Sequence, residues 1–146
     1  MHHYPPSPDL LRLATSALDV HHYTSRPEQD PASRAELDAI HAHACALYAL
    51  LDSHTATTRP QVQAEGDQLH AARIRLWQAT EHLHAAYHAA PREDGRLPTR
   101  EACAARLAEG APDLTVCQRH VATSVRVRRT TTPTDLRADF TGLVRH

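Results

Sequence analysis

A seven-residue repeat in the middle of the chain constrains the fold more than any other feature of the sequence. Leucines recur at this spacing, and alanines fill the intervening positions that share their side of a helix. The leucines are Leu69, Leu76 and Leu83, with Ala90 at the next position of the repeat, and the intervening alanines are Ala72, Ala79 and Ala86. Because alanine is the best helix former and lets helices approach closely, this stripe predicts a long helix packed tightly against antiparallel neighbours.

Prolines mark the ends of the predicted helices. Pro8 and Pro31 each follow a capping side chain and stand where a helix accepts proline, at its first position. Pro91 ends the helix that carries the leucine repeat, and Gly66 near its start indicates an irregular first turn. The six predicted helices span approximately residues 8–23, 31–55, 65–90, 100–109, 113–129 and 134–143.

The other long helices each carry an apolar stripe of their own. The predicted inward residues are Leu10, Leu13, Ala14 and Ala17 in the first helix, Leu37, Ile40, Ala44, Leu47 and Leu51 in the second, and Leu114, Cys117, Val121 and Val125 in the fifth. Four amphipathic helices with short connections are typical of an up-down bundle. The sequence therefore predicts an all-α fold: an antiparallel four-helix bundle with two additional short helices, in a single domain of residues 1–146.

Charge and cysteine content exclude several classes of protein. The net charge of −1 provides no overall attraction to nucleic acid or membranes. No apolar run is long enough to span a membrane, and the first residues lack the features of a secretory signal. Three cysteines without a CxxC pair predict a reduced cytoplasmic protein with Cys45, Cys103 and Cys117 as small core thiols. A disulfide between Cys103 and Cys117 is the alternative.

Thirteen histidines raise the question of a metal site. Helical bundles bind metals through Glu-x-x-His pairs on facing helices, because residues three apart share a helix face. Glu81 and His84 have this spacing. The resulting hypothesis is a site for Zn, Fe or Mn that joins this pair to His21, His41 or His43.

The leucine stripe argues against most histidines as ligands. At about 100° per residue, His84 lies about 100° from the centre of the stripe, and His70 and His88 lie about 140° away, although His84 and His88 stand four residues apart. Most imidazoles are therefore expected at the periphery. Cys117 points inward and stands three residues before His120, and we expect an inert core thiol rather than a nucleophile activated by that histidine.

Four arginines gather on the fifth helix and its exit: Arg119, Arg126, Arg128 and Arg129. A basic helix end can bind phosphates, which gives a nucleic-acid hypothesis. The same side chains also suit the dipole at a helix C-terminus, or can pair with the acidic N-terminal part of this chain or of a second copy.

Trp77 falls on the flank of the leucine-repeat helix, and Tyr48 lies nearer the apolar stripe of its own helix. The Trp77 ring either packs under a loop or short helix, or anchors a dimer interface, because exposed aromatic rings favour contact surfaces. The sequence leaves both alternatives open.

Five segments carry a resemblance to a known family. They are RAELDAIHAH at residues 34–43, EGDQL at 65–69, WQA at 77–79, EHLHAAYH at 81–88 and CQRH at 117–120. In these segments the chain resembles an uncharacterised family of small Ala/Arg/His-rich actinobacterial proteins of unknown function. The resemblance implies an intracellular, high-GC bacterial origin, and it implies no activity, cofactor or catalytic residue.

The sequence lacks the glycine pattern of a phosphate-binding loop, the Gly-x-Ser-x-Gly motif and the His-Glu-x-x-His motif. This favours a non-enzymatic cytoplasmic protein that acts through protein–protein contacts, including self-association as a homodimer, without a cofactor. The first alternative is the metal-binding bundle, which includes a metalloenzyme. The second is a nucleic-acid-associated protein that uses the C-terminal arginines.

Overall fold

The computed structural model describes residues 8–24, 31–91 and 114–137. These residues form helices and their connections and contain no strand, so the all-α prediction is confirmed for this part of the chain. None of their helices has the length and apolarity needed to cross a membrane. The helices are α1 (Pro8–Thr24), α2 (Arg34–Thr58), α3 (Gln63–Ala89), α4 (Val116–Thr130) and α5 (Pro133–Arg137).

The chain divides into two compact units, Met1–Ser33 and Arg34–His146. In the second unit the three long helices α2, α3 and α4 pack together, and α1 belongs to the first unit. Packing of three long helices is therefore shown, and the antiparallel four-helix bundle is not confirmed; the single domain stays a prediction. The predicted short helix at residues 100–109 lies outside the described residues, and the last helix is described from Pro133 to Arg137.

In the first unit, α1 begins where its proline predicts. Asp9 lies in the first turn, where the helix dipole favours negative charge. Leu13, Ala14 and Ala17 were expected to face inward, and all three are exposed. The prediction of an inward stripe is wrong at these residues. Apolar spacing predicts that a segment is helical, but it does not provide a neighbouring element that covers the apolar face.

A tight turn joins α2 to α3 in an antiparallel hairpin. The Val62 N–H donates to the Thr58 carbonyl, and the Gly66 N–H donates to the Val62 carbonyl, so α3 begins regularly. A Cβ atom at Gly66 would overlap the Arg59 backbone. The expected irregular first turn is therefore wrong: the glycine is needed for the close approach of the two helices.

Arg34 closes the other end of this hairpin. Its Nη1 atom donates to the Tyr87 carbonyl at 2.8 Å and to the Ala90 carbonyl at 2.9 Å. Its guanidinium also lies 3.9 Å from the centre of the Tyr87 ring. The first residue of α2 thus satisfies carbonyls at the C-terminus of α3, which a helix leaves without intrahelical partners.

A capping box starts α4. The Thr115 hydroxyl accepts from the Gln118 N–H, and the Gln118 side chain accepts from the Thr115 N–H. Since Arg119 pairs with Asp38, and Arg126 with Asp52, α4 runs in the same direction as α2. It is therefore antiparallel to α3.

The buried face of α3 differs from the predicted one. Ala72, Ala79 and Ala86 are exposed, and the three repeat leucines are only half-buried. The buried residues are Gly66, His70, Ala71, Arg73, Ile74, Trp77 and Thr80. The correction has a physical cause: α3 lies against both α2 and α4, and its long polar side chains find partners there, so the leucine spacing does not set the buried face.

Similar corrections apply to α2 and α4. Ala44 and Cys117 are buried as predicted, whereas Leu47 is 40% exposed. The predicted inward residues Leu114, Val121 and Val125 are also exposed. The apolar core instead joins one residue from each long helix, Tyr48, Trp77 and Val127, with Leu76 and Leu136 packed against them. Trp77 is a core ring, 4% exposed, and the alternative of an exposed dimer anchor is wrong.

An ion-pair network that includes the buried Arg73 also connects the three long helices. Asp52 of α2 accepts from Arg73 of α3 through one oxygen and from Arg126 of α4 through the other. Arg73 is 4% exposed, so its charge has lost most of its contact with water. Without the carboxylate that charge would remain buried and uncompensated.

We predict that Asp52→Asn lowers the free energy of unfolding by about 3–5 kcal/mol, the usual cost of breaking a buried pair from one side. The matched control is Asp67→Asn, which removes the exposed pair with Arg59 and should cost no more than about 1 kcal/mol. Urea unfolding of both variants measures the difference. Equal losses would show that Asp52 does not have the structural role described here.

His70 lies beside this network. Arg73 Nε donates to its Nδ1 atom at 3.1 Å, and its Nε2 atom lies 3.8 Å from an Asp135 oxygen. Burial lowers the pKa of His70 below its ordinary value of 6.5, Arg73 and Arg59 lower it further, and Asp135 and Asp67 oppose them. The folded protein therefore holds this imidazole in its neutral form.

The lowered pKa predicts a pH-dependent stability. Below about pH 6.5 the unfolded chain binds a proton at His70 that the folded chain binds less readily, so stability falls as the pH falls through this range. We expect His70→Gln, whose amide oxygen still accepts from Arg73, to reduce this slope. Urea unfolding at neutral and mildly acidic pH tests the prediction, and a variant with the wild-type slope would refute it.

Candidate metal centre

Two turns of α3 and the first turn of α4 bring together three side chains of types that can bind a metal. His84 and His88 stand four residues apart, so both project from the same face of α3. Cys117, the second residue of α4, is 8% exposed and faces them. The capping box that starts α4 therefore also determines where this sulfur lies.

The three donor atoms form a small triangle. His84 Nε2 lies 3.0 Å from Cys117 Sγ and 3.0 Å from His88 Nε2, and His88 Nε2 lies 3.3 Å from Cys117 Sγ. The point equidistant from all three is about 1.8 Å from each, slightly less than a zinc–ligand bond. His84, His88 and Cys117 would therefore hold a zinc-sized ion through two imidazole nitrogens and one sulfur.

A cleft of about 550 Å³ opens beside the triangle. The three donor residues form part of its wall. The remaining lining residues are Glu81, Ala85, His120 and Val121. Glu81 is exposed and lies one helical turn before His84, so it stands on the same face of α3 as His84 and His88.

His120 supports this arrangement from α4. Its ring stacks on Trp77, with 4.6 Å between the centroids and 14° between the planes. The same ring lies 4.4 Å from the His84 ring. Contacts of this kind fix the orientation of His84 before any ion binds.

A hydrogen-bonded chain continues from His120 to α2. His41 Nε2 lies 3.0 Å from His120 Nδ1, and Arg119 donates to His41 Nδ1 at 3.1 Å and to Asp38 at 2.8 Å. Because Arg119 donates to Nδ1, His41 carries its proton on Nε2 and donates it to His120. The remaining proton of a neutral His120 is then on Nε2.

Burial keeps both histidines of this chain neutral at neutral pH. The pKa of His41 is lowered from 6.5 to about 4, mainly by burial and also by nearby His120, Arg119 and His84, while Asp38 opposes them. Burial also lowers the pKa of His120. His41 also contacts Cys45, whose sulfur lies 3.7 Å from both ring nitrogens, and burial raises the pKa of that thiol.

The structure brings some of the sequence-predicted metal residues together and separates others. His84 is one of the three donors, and Glu81 lines the cleft. His41 is completely buried and bonds to His120 rather than joining the donor triangle. His43 is exposed on α2, and the side chain of His21 lies outside the described residues.

Sequence reasoning missed two of the three donors, His88 and Cys117. The four-residue spacing of His84 and His88 was visible in the sequence and marks a shared face. The leucine repeat nevertheless indicated the wrong buried face for α3, which placed His88 in solvent. Cys117 was correctly expected to point inward. No sequence signal, however, predicts that its place on α4 lies opposite the face of α3 that carries His84 and His88.

The four C-terminal arginines do not form one patch. Arg119 pairs with Asp38, and Arg126 with Asp52, so the expected pairing with acidic residues of the same chain holds for these two. Arg128 and Arg129 are exposed at the C-terminal end of α4. Among the cysteines, Cys45 and Cys117 are buried thiols, and Cys103 lies outside the described residues.

Fold and site together define a small helical protein with a histidine- and cysteine-containing cluster between two helices. The chain belongs to DUF6238, a family of unknown function whose model matches residues 1–146. This confirms the resemblance to an uncharacterised family. No curated protein and no solved structure shows a significant similarity to the chain.

Proposed function

We propose that this protein binds one Zn²⁺ ion through His84, His88 and Cys117. The observation that supports the proposal is the convergence of their donor atoms, 3.0–3.3 Å apart. A proton between one pair of atoms accounts for one short contact, whereas an ion at the centre accounts for all three together. The protein–protein function favoured by the sequence becomes the second candidate.

The chemistry of the donors favours zinc over the other ions considered. A thiolate and two imidazoles are the ligand types that zinc uses in proteins. Manganese prefers carboxylate, carbonyl and water oxygens, and non-haem iron sites typically combine two histidines with a carboxylate. Cys117 therefore distinguishes this site from both.

The surroundings of the donors also suit a cation. Cys117 lies in the first turn of α4, where the helix dipole attracts a thiolate. His84 and His88 are held on one rigid helix, and the His84 ring rests against His120. Ligands that are already oriented lose little freedom when the ion binds.

We predict that untagged protein contains close to one equivalent of zinc and that Co²⁺ replaces it with a thiolate-to-cobalt charge-transfer band. His84→Ala, His88→Ala and Cys117→Ser should each weaken zinc binding by at least about 100-fold, because even supporting residues around metal sites contribute about 10–100-fold. Competition with a chromophoric chelator measures the affinity. Zinc at about 100 times its Kd should raise the free energy of unfolding of the wild type by about 2.7 kcal/mol.

His82→Ala is the matched control for these variants. His82 lies on the same helix, two residues from His84, and is exposed. Its removal should leave zinc affinity and the cobalt band unchanged. A wild-type protein without a charge-transfer band, or a Cys117→Ser variant that retains it, would contradict the proposal.

A second candidate is a contact surface on α4. Val121 and Val125 are exposed by 63% and 42%, and their four-residue spacing places them on one face of α4. Leu114, just before the helix, is exposed by 53%. An exposed apolar face is typical of a surface that binds another protein or a second copy of the chain. This observation supports the homodimer expected from the sequence.

We predict that the wild type has the mass of two chains in light scattering and that Val125→Asp reduces it to one chain, because a charge on the contact face must lose its hydration. Ala72→Asp, which places the same charge on the exposed face of α3, should keep the wild-type mass. A monomeric wild type would exclude self-association.

A further inference from the structure

Cys117 differs from the other two donors of the proposed zinc centre because its sulfur can be oxidised. A cysteine that binds zinc does so as a thiolate, which is also the form that reacts with oxidants. The other donors, His84 and His88, are imidazoles, and mild oxidants leave these rings intact. An oxidant that reaches the centre would therefore change one ligand and leave the other two in place. The inference drawn from this difference rests on the zinc binding proposed above.

We propose that Cys117 is a redox-sensitive zinc ligand. A hydroperoxide that enters the cleft oxidises its sulfur, zinc is released, and thiols of low molecular weight restore the site. The observation that supports the proposal is the position of the sulfur, which lies 3.0 Å and 3.3 Å from two imidazole nitrogens and lines a cleft of about 550 Å³. The cleft gives a molecule as small as hydrogen peroxide a route to a side chain that is only 8% exposed.

The distribution of the donors over two helices explains why oxidation releases the ion. A sulfenic acid has lost the negative charge of the thiolate, so its sulfur is a weak zinc ligand. The two ligands that remain, His84 and His88, both belong to α3, whereas Cys117 is the donor from α4. Oxidation therefore removes the connection that the ion makes between the two helices. Zinc-loaded protein should then lose the added stability that comes from binding the ion.

The oxidation and its reversal both balance. The thiolate of Cys117 attacks one oxygen of hydrogen peroxide, so a sulfur–oxygen bond forms and the oxygen–oxygen bond breaks. The sulfur gives up two electrons and becomes a sulfenic acid, and the other half of the peroxide leaves as hydroxide. Two molecules of a low-molecular-weight thiol then reduce the sulfenic acid to the thiol. They release one water and form one disulfide with each other, and the regenerated thiol binds zinc again.

Cys45 provides a comparison within the same chain. Its sulfur is also buried, and it lies 3.7 Å from both ring nitrogens of His41. It is not among the described residues that line the cleft. Burial raises the pKa of this thiol, so it stays protonated at neutral pH and reacts slowly with peroxides. Oxidation should therefore be selective for Cys117, which combines a place in the cleft wall with a thiolate held by the metal.

The experiment adds hydrogen peroxide stepwise to the full-length, zinc-loaded protein. A chromophoric chelator reports the zinc that is released. Alkylation of the unfolded protein followed by peptide mass spectrometry reports which cysteines remain free thiols. We expect about one zinc ion to be released for each Cys117 thiol that is consumed, while Cys45 is still alkylated. Dithiothreitol followed by added zinc should restore both the free thiol and the bound ion.

Two variants separate the role of the sulfur from general damage by peroxide. Cys117→Asp replaces the thiolate with a carboxylate, which binds zinc together with two imidazoles and contains no oxidisable sulfur. We expect this variant to keep its zinc in peroxide. The matched control Cys45→Ser removes the other buried thiol and should release zinc as the wild type does. The peptide analysis of the wild type decides the question even if Cys117→Asp does not hold zinc.

Three results would overturn the inference and leave zinc binding intact. The first is a wild type that keeps both its zinc and the free thiol of Cys117 in excess peroxide. The second is a mismatch between the two readouts, in which zinc is released while Cys117 stays a free thiol, or stays bound after that thiol is consumed. The third is release of zinc from Cys117→Asp as fast as from the wild type. A protein without the thiolate-to-cobalt band before any oxidant is added would instead refute the proposed function.

Discussion

One carboxylate connects the three long helices of the second unit. Asp52 lies on α2 and holds Arg73 of α3 with one oxygen and Arg126 of α4 with the other. A buried arginine needs such a partner, so the rotation of α3 about its axis is determined by where Arg73 can reach Asp52. Trp77 and Thr80 then lie on the same face of α3. His84 and His88, one and two turns after Thr80, continue that face.

The histidine and cysteine cluster is a consequence of this rotation. With Arg73 directed toward Asp52, Trp77 enters the core, and His84 and His88 continue the same face toward the start of α4. Stacking of His120 on Trp77 fixes the position of α4 beside that face. The same interactions that hold the helices together therefore bring Cys117 to the two imidazoles, and they give the centre its rigidity.

Much of the fold follows from the sequence, and much of the site does not. The start of α1 at Pro8 and the end of α3 before Pro91 were predicted well. Helix ends of this kind depend on residues that are neighbours in the sequence. The prediction of the buried face of α3 was wrong because it relied on the spacing of apolar residues alone. Arg73 and His70 are polar, and they are buried because they pair with residues of other helices. His84 was identified from its spacing to Glu81. The joining of His88 to Cys117 depends on the position of α4 relative to α3, which no local pattern encodes.

The central claim is that α3 and α4 form a metal centre with two nitrogen ligands and one sulfur ligand. X-ray absorption at the zinc edge of the untagged, zinc-loaded protein tests it most directly. We expect two imidazole nitrogens at about 2.0–2.1 Å and one sulfur at about 2.3 Å, from His84, His88 and Cys117. A first shell without sulfur, or without imidazole nitrogen, would contradict the arrangement of His84, His88 and Cys117 described here.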